Sequence, residues 1–372
     1  MISVQVISYF CILAFISTHA QSPLGLNKGD VCQGRGKSAS TCQLLKDCPQ
    51  IGDFKRKRPK ICNFKGLDPI ICCPPKTSNS NKVDKLKNIK SNGNAIKTCQ
   101  TISPTVCQSL TTNILRIRRA IVRSMVAGGK AAPPRQHRYM VLIGYGNAED
   151  KEWNCGGSLL SERWVLSAAH CASPQGIGPA RWARVGDLDI SSTNEDARPQ
   201  EKIIVKRTIH PNYKEPAVYY DIALFKLDSD VVFNDWVAPV CLYTDNQISA
   251  TKATVTGWGR LEFLGSVSPK LQEVDITLVN GTECKRLHGK NARIPDGIAP
   301  DIMVCAGEKE GGKDACSGDS GGPLLINQAN SCLKYQIGIT SFGKECGLPN
   351  SPGVYTKISP FVPWIESIVW PN

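Results

Sequence analysis

The sequence predicts an all-β domain that ends in one helix and is preceded by a small disulfide-knotted module. Short β-rich runs recur between Gly, Pro and Asn turns throughout residues 126–372, which is typical of a barrel or sandwich. Residues 361–369 carry apolar side chains at helical spacing and predict a C-terminal helix. Six cysteines lie within residues 32–73, a stretch too short for a sizeable apolar core, so disulfides must close it.

The first twenty residues predict export. They lack Lys, Arg, Asp and Glu, are mostly apolar over residues 2–16, and end in small residues that suit a signal peptidase. We expect residues 1–20 to be a cleaved signal peptide, and a buried N-terminal helix or strand is the alternative. The apolar run is too short for a membrane span. Cleavage after Ala20 leaves an even number of the 17 cysteines, which fits up to eight disulfides in an exported protein.

The positive charge is confined to the N-terminal third of the chain. The formal net charge is +13, but residues 21–125 hold 20 Lys and Arg against 5 Asp and Glu, whereas residues 126–372 hold 25 against 27. The basic runs at 55–58 and 116–119 admit nucleic-acid binding, but for an exported protein we expect no nucleic acid and consider an anionic surface the better partner. A solvated basic face is the alternative. Residues 74–98 have few apolar residues and predict a flexible linker, whose character continues to about Arg123, so that the linker and activation segment together span residues 74–125.

Three short motifs hold the residues of a nucleophilic site. They are residues 166–171 with His170, residues 221–224 with Asp221, and residues 314–323 with Ser320. A lone His or Asp carries little signal, but glycines that flank a serine suit close backbone approach or unusual dihedral angles. Taken together, in the order His, Asp, Ser, the motifs resemble the chymotrypsin-like serine proteases.

The resemblance covers residues 126–372 and implies two packed six-stranded antiparallel β-barrels with the active site between them. It implies that Ser320 is the nucleophile, His170 its general base, and Asp221 the group that holds the imidazole. The backbone amides of Gly318 and Ser320 would form the oxyanion hole. The intact triad argues against a relative that has become a non-catalytic binding cofactor.

The resemblance also implies a substrate preference. Asp314 lies six residues before Ser320 and matches the floor of the primary specificity pocket, where a buried carboxylate would select Arg or Lys. A surface-loop acid is the alternative. Gly343 and Gly353 match the pocket walls and would leave the pocket open. Ser341 matches the serine that supports the triad aspartate and the strand on which the substrate pairs.

The sequence contains one acidic loop at the place of a known calcium site and one glycosylation sequon. No cofactor is required by the resemblance. Asp187, Asp189 and Glu195 lie where trypsins carry a calcium loop, but their spacing departs from that pattern, so a solvated acidic loop is the better interpretation. Asn280 begins the glycosylation sequon of the chain, and we expect a glycoprotein if that sequon is occupied.

Residues 126–129 align with the new N-terminus that activation creates in this family. Cleavage after Met125 would free the α-amine of Val126, which would pair with Asp319 and order the pocket and oxyanion hole. Ala127 departs from the family's valine. Because most relatives carry Arg or Lys before the cut, Met125 predicts an upstream activating protease of non-tryptic specificity.

The whole chain resembles the arthropod clip-domain serine proteases. A six-cysteine knot over residues 32–73 would be the clip domain, residues 74–125 the linker and activation segment, and residues 126–372 the protease domain. The non-arginine activation residue and the ending at 365–371 look most like the Snake and Persephone group.

The disulfide pairing follows from the same resemblance, since spacing alone leaves 15 connectivities for the six-cysteine knot. The family pattern implies these pairs: Cys32–Cys72, Cys42–Cys62, Cys48–Cys73, Cys155–Cys171, Cys284–Cys305 and Cys316–Cys346. It also implies that one linker cysteine tethers to Cys241. We expect Cys107, which lies nearer the cleavage point, so that Cys99 would pair with Cys332. Cys99 on Cys241 is the alternative.

The resemblance implies a secreted zymogen of an extracellular cascade, in haemolymph or the perivitelline space. It would serve innate immunity, through Toll signalling or melanisation, or development. It would cleave a downstream clip protease zymogen after Arg or Lys, and a serpin would inhibit it. The alternatives are a clip-bearing non-catalytic cofactor, a digestive trypsin, and a heparin-binding matrix protein. A digestive trypsin would need neither the knot nor a retained light chain.

Overall fold

The computed structural model describes residues 26–33, 40–44, 47–48, 60–65, 68–73, 91–102, 107, 129–260, 265–328, 333–344 and 346–371. The expected signal peptide, Met125, Val126 and Cys332 lie outside these residues, as does most of the predicted linker. The chain divides into two compact units, Met1–Lys82 and Val83–Asn372. Within the described part of the chain, no helix combines the length and hydrophobicity needed to cross a membrane.

The N-terminal unit contains a small antiparallel sheet. Its strands have the order β1-β2-β4-β3 and are β1 (Val31–Gln33), β2 (Ser40–Leu44), β3 (Ile61–Lys65) and β4 (Asp68–Cys73). The disulfides Cys32–Cys72, Cys42–Cys62 and Cys48–Cys73 cross-link it, and these are the pairs that the resemblance implied. Leu44, Ile70 and Ile71 are buried beside the cysteines. Because so few apolar side chains are buried here, the disulfides carry much of the stability.

The second unit begins with β5 (Lys130–Ala131) and a closed β-barrel. The barrel strands are β6 (Met140–Gly146), β7 (Lys151–Ser161), β8 (Trp164–Ser167), β9 (Trp182–Val185), β10 (Gln200–Ile209) and β11 (Ala223–Leu227). They follow the order β10-β11-β8-β7-β6-β9, and β9 pairs back onto β10. Ser167 at the end of β8 pairs with Ala223 at the start of β11. This register brings the residues just after β8 next to those just before β11.

A second barrel of six strands follows. Its strands are β13 (Lys252–Gly257), β14 (Gln272–Val279), β15 (Met303–Ala306), β16 (Pro323–Asn327), β17 (Lys334–Phe342) and β18 (Gly353–Lys357). The pairing of β17 with β18 closes the ring, while β12 (Cys241–Leu242) adds to β17 and β5 adds to β14. Val255, Ile276, Leu324 and Tyr355 fill its interior. The expected chymotrypsin-like double barrel is therefore confirmed.

Three helices are described. They are α1 (residues 94–102), α2 (Gly281–Leu287) and α3 (Val362–Val369), which follows a 3₁₀ turn at Ser359–Phe361. The helix α3 is the expected C-terminal helix. Its buried residues include Val362, Ile365 and Val369, so the apolar spacing read from the sequence corresponds to a packed face.

The remaining disulfides contain one correction. The pairs Cys155–Cys171, Cys284–Cys305 and Cys316–Cys346 are those that the resemblance implied. Cys99 pairs with Cys241, with 5.2 Å between their Cα atoms, so the expected pairings Cys107–Cys241 and Cys99–Cys332 are both wrong. The physical reason is packing, because α1 places Cys99 next to Cys241 in β12. The distance along the sequence from the cleavage point does not decide the pairing. Cys107 is itself disulfide-bonded.

Candidate active site

His170 and Asp221 form a buried pair in the first barrel. The barrel register explains their meeting, because His170 follows β8 by three residues and Asp221 precedes β11 by two. His170 Nδ1 lies 2.8 Å from Asp221 Oδ2, and the His170 backbone amide donates to Oδ1 at 2.9 Å. The hydroxyl of Ser341, from β17 of the second barrel, also donates to Oδ2. Asp221 is fully buried, and this donor set fixes the orientation of its carboxylate.

The imidazole of His170 is oriented by that carboxylate. A proton on Nδ1 directed at Asp221 leaves Nε2 as the basic nitrogen of the neutral ring. The side chain is 28% exposed, so Nε2 can face the cleft. Burial lowers the pKa of His170, but the charge and hydrogen bond of Asp221 outweigh it, and the net pKa lies above the ordinary value. The pair therefore provides a general base whose protonated form is stabilised.

Ser320 lies on a loop that approaches the first barrel very closely. Its carbonyl accepts the Gly156 amide at 2.7 Å. A Cβ on Gly321 would lie 2.2 Å from Ser167 Oγ, and Gly321 has φ +80°, so a glycine is required there. The approach brings Ser320 to the end of β8, from which the chain continues to His170. Of the contacts among described residues, none is a hydrogen bond between the Ser320 hydroxyl and His170, and such bonds often tighten only when substrate binds.

Two backbone amides beside Ser320 are left without acceptors. Gly318 has φ +103°, and a Cβ there would lie 2.9 Å from Gly259 Cα, so again only glycine fits. Within the described ranges, neither the Gly318 amide nor the Ser320 amide has a hydrogen-bond acceptor. Two unpaired donors next to a serine hydroxyl can bind an oxygen that becomes negatively charged.

Asp314 is a buried carboxylate with an unsatisfied oxygen. The residue is 4% exposed, which excludes the alternative of a surface-loop acid. Among the described residues its Oδ1 has no hydrogen-bond partner, and its Oδ2 accepts a long bond of 3.4 Å from the Gly347 amide. Burial raises the pKa of Asp314 to about 7. A carboxylate in this state would be stabilised by a cation.

The glycines expected to line the pocket lie next to that carboxylate. A Cβ on Gly353 would lie 3.1 Å from Asp314 Oδ1, so any side chain at Gly353 would crowd the acid. A Cβ on Gly343 would meet only Gly353 Cα, at 3.9 Å, so the space between the two glycines is open. The structure thus brings Asp314, Gly343 and Gly353 together, as the motif alignment predicts.

Asp319 is a second buried acid, and it borders a cavity. Its Oδ1 accepts the Gly259 amide at 2.8 Å and its Oδ2 accepts the Cys316 amide at 2.9 Å. Burial raises its pKa to about 6. The described lining of the cavity also includes Asp314 and Glu273, and the Glu273 carboxylate already pairs with Lys130 and His137. Asp314 and Asp319 have no cationic partner among the described residues, so this side of the cavity suits a cationic group.

Sequence reasoning missed the two glycines that wrap Asp319. A Cβ on Gly257 would lie 1.9 Å from Asp319 Oδ1, and one on Gly259 would lie 2.5 Å from its Cγ. The sequence signal for these two glycines is the string Gly257-Trp258-Gly259, which begins at the last residue of β13. Met125 and Val126 lie outside the described residues, so the structure does not position them.

The acids of the expected calcium region have partners within the chain. Asp187 Oδ2 lies 2.9 Å from Arg184 Nε, and Glu195 Oε1 accepts the amides of Leu188 and Asp189 at 3.2 and 3.0 Å. Asp187 is buried, so the expected solvated loop is wrong for that residue.

Asn280, the predicted glycosylation site, is exposed at the start of α2. Its side-chain oxygen caps the helix by accepting the Glu283 amide at 2.9 Å. An N-linked glycan would attach to the side-chain nitrogen, so the cap does not block the attachment atom. Occupancy of the site stays a prediction.

The geometry defines a serine endopeptidase of the double-barrel type, and the comparisons identify its family. The sequence profile of the family described as Trypsin matches residues 126–365. The chain therefore belongs to the trypsin family.

Its curated relatives extend the likeness beyond that domain. Serine protease snk of Drosophila melanogaster is 35% identical over 93% of this chain and 80% of its own length. Venom serine protease Bi-VSP of Bombus ignitus is 32% identical (90% and 88%), and Proclotting enzyme of Tachypleus tridentatus is 31% identical (90% and 89%). The expected membership of the clip-domain serine proteases is confirmed.

Proposed function

We propose that this chain is the zymogen of a secreted serine endopeptidase that cleaves after Arg or Lys in an extracellular proteolytic cascade. The observation that carries the specificity is Asp314, whose buried Oδ1 has no partner beside the open space between Gly343 and Gly353. A guanidinium or ammonium group would satisfy this oxygen with charge-assisted hydrogen bonds. An apolar side chain would leave the carboxylate unpaired.

In the proposed mechanism, Ser320 Oγ attacks the scissile carbonyl while His170 Nε2 removes its proton. Asp221 keeps the proton of Nδ1 directed at itself and stabilises the imidazolium that forms. The amides of Gly318 and Ser320 bind the oxyanion, and one such donor contributes about 10²- to 10³-fold in rate. His170 then donates its proton to the leaving amine, and water repeats the sequence on the acyl-enzyme.

Activation would begin with cleavage between Met125 and Val126 by a protease of non-tryptic specificity. The acidic cavity at Asp319 supports this proposal, since an α-ammonium group would neutralise it. The strand β5 supports it as well, because Ala131 pairs with Gln272 and Lys130 with Glu273, and both partners line the cavity. Lys130 lies four positions after Val126, and four extended residues span roughly 13 Å. The new amine could therefore reach Asp319.

The names of relatives support the cascade. Proclotting enzyme and the 35% identical Clotting factor G beta subunit, both of Tachypleus tridentatus, are named for clotting. By analogy, this enzyme would activate a downstream clip protease zymogen in haemolymph or the perivitelline space, in Toll signalling, melanisation or development. A serpin would inhibit it, and the basic N-terminal region would bind an anionic surface.

The test is activation of the purified proenzyme, followed by assay and N-terminal sequencing. Aliquots are treated with a trypsin-like protease or with a chymotrypsin- or elastase-like protease, then assayed on an arginyl amide and labelled with a fluorophosphonate. We expect activity and labelling only where the heavy chain starts at Val126, and none in the Ser320→Ala control. Full activity after cleavage at Arg123 would overturn the activation site, and failure to label would favour the non-catalytic cofactor.

A further inference from the structure

The C-terminal helix α3 carries one buried acid whose bonding partners lie far away in sequence. Val362, Glu366 and Val369 share the buried face of this helix, and Glu366 is only 1% exposed. Its Oε2 accepts the backbone amide of Asn92 at 2.8 Å, and its Oε1 accepts that of Ala95 at 2.9 Å. Both carboxylate oxygens thus accept main-chain donors of residues 91–102.

One of those donors, the Ala95 amide, lies in the first turn of α1, and the other, the Asn92 amide, lies two residues before the helix begins. The first turn of any helix leaves N–H groups without partners inside the helix, and its partial positive charge favours an anion. Glu366 supplies that anion from another element, more than 270 residues further along the chain. Ala95, the second residue of α1, is buried at this contact.

A second set of hydrogen bonds joins the same segment to the residue that follows α3. The carbonyl of Trp370, just past α3, accepts the side-chain amides of Asn92 and Asn94, each at 3.2 Å. Further along α1, Cys99 packs with Leu333 and Tyr335, beside its disulfide to Cys241. Residues 91–102 therefore contact the protease domain at polar, apolar and covalent points.

We propose that residues 91–102 are a docking peptide for the protease domain, and that Glu366 is the residue that recognises it. A disulfide limits how far Cys99 can move from Cys241, but it satisfies no polar group. Departure of the segment would take two backbone donors from the Glu366 carboxylate and would take the carboxylate from the first turn of α1, and both losses are unfavourable. The segment consequently stays bound through non-covalent contacts that do not depend on the Cys99–Cys241 disulfide.

The consequence concerns the light chain. If activation cuts after Met125, as proposed above, residues 91–102 belong to the light chain while Glu366 belongs to the heavy chain. The docking peptide then makes the light chain a structural subunit of the active enzyme. The docking itself exists in the uncleaved chain, so it can be tested without assuming the activation site.

The first experiment compares hydrogen exchange in the full-length, uncleaved chain and in its Glu366→Gln variant. Glutamine has nearly the volume of glutamate but no charge. Its side-chain NH2 group would face one of the two backbone N–H donors and could not accept from it. We expect the amides of Asn92 and Ala95 to exchange at least about tenfold faster in the variant. The matched control is Glu283→Gln on α2, where the acid bonds Arg286, and it should leave exchange over 91–102 unchanged. Unchanged exchange in Glu366→Gln would overturn the proposal.

A second variant guards against misfolding of the first. Asn94→Ala removes one side-chain bond to the Trp370 carbonyl and leaves Glu366 in place. We expect amide exchange over residues 91–102 to be about threefold faster than in the parent, a smaller increase than in Glu366→Gln. Exchange in the rest of the protease domain should be unchanged. Equal exchange in this variant and the parent would contradict a role for the Trp370 contact.

The final experiment uses the cleaved enzyme with Cys99, Cys107 and Cys241 changed to Ser. Gel filtration should show light and heavy chains eluting together while Glu366 is present, and separating when Glu366→Gln is added. Separation with Glu366 intact would overturn the non-covalent docking. Failure of the cleavage would count against the proposed activation site alone, because the exchange experiment is read on the uncleaved chain.

Discussion

The two barrels contribute buried aspartates to the catalytic cleft, and these differ in how completely the fold has paired them. Asp221, from the first barrel, takes hydrogen bonds from the ring and backbone of His170 and from Ser341. Asp314 and Asp319, from the second barrel, receive backbone amides only, and burial raises their pKa values to about 7 and about 6.

The difference teaches which parts of the site are complete in the unactivated chain. A paired carboxylate can orient a base at once. An unpaired buried carboxylate destabilises the protein until a cation arrives. Under the proposed function, the two missing cations have different sources, the substrate side chain for Asp314 and the new N-terminus for Asp319. The aspartate of the first barrel therefore has its partners before activation, whereas the aspartates of the second barrel depend on groups that bind later.

The largest expected effect concerns Asp221, the carboxylate that is already paired in the uncleaved chain. Asp221→Asn should lower kcat on an arginyl amide by about 10⁴-fold, because the asparagine amide favours the wrong tautomer of His170. The measurement is steady-state kinetics of the activated enzyme. Asp301→Asn, an exposed aspartate, is the control and should change nothing. A loss of less than tenfold would show that the carboxylate is not needed to orient the imidazole.

The next effect tests the specificity pocket. Asp314→Asn should lower kcat/KM for an arginyl amide by about 10²- to 10³-fold, the range expected when one partner of a buried charge pair is removed. The same variant should keep its activity toward an amide with an apolar residue before the scissile bond. An equal loss on both substrates would mean that Asp314 supports the fold and not the selection of cations.

Asp319→Asn should have opposite effects before and after activation. In the proenzyme the raised pKa means that the folded state binds a proton more tightly than the unfolded state. Its stability therefore falls as pH rises from about 4 through about 6. The neutral variant escapes this loss and should be more stable by roughly 3 kcal/mol at pH 7.5, with no gain at pH 4.

Urea unfolding of the uncleaved variant and parent at both pH values measures this difference. After cleavage the variant should lose most of its activity, since the new ammonium group has no carboxylate to pair with. Equal stability of variant and parent at pH 7.5 would show that the buried Asp319 is not a strained charge.

The smallest effect is a shift in pH dependence. His170 must be neutral to accept a proton, and Asp221 raises its pKa above the ordinary value despite burial. The kcat of the activated enzyme should therefore fall on the acid side with a midpoint above that of an unperturbed histidine, near 6.5. The profile of kcat isolates His170, because Asp314 is already paired in the enzyme–substrate complex. A midpoint below 6.5 would contradict the stabilising role of Asp221.

Sequence reasoning predicted the features that depend on local motifs. The β-rich runs and turn residues predicted a barrel or sandwich, and the family resemblance carried by the motifs implied the double barrel and the grouping of Asp314, Gly343 and Gly353. The pairing of Cys99 could not be read this way, because it depends on where α1 packs. Glu366 carried no signal either, since a single acid in an apolar helix is ordinarily solvent-facing, and only tertiary structure reveals its donors.

The elevated pKa of Asp314 also makes binding a proton-linked event. At neutral pH the empty pocket is protonated in a large fraction of molecules, and a guanidinium entering it would expel that proton into the solvent. Titration calorimetry with a small cation such as benzamidine should therefore give heats that depend on the ionisation enthalpy of the buffer. The affinity should rise with pH through about 7. Small acidifications of the surrounding fluid would thus weaken the binding of basic substrates.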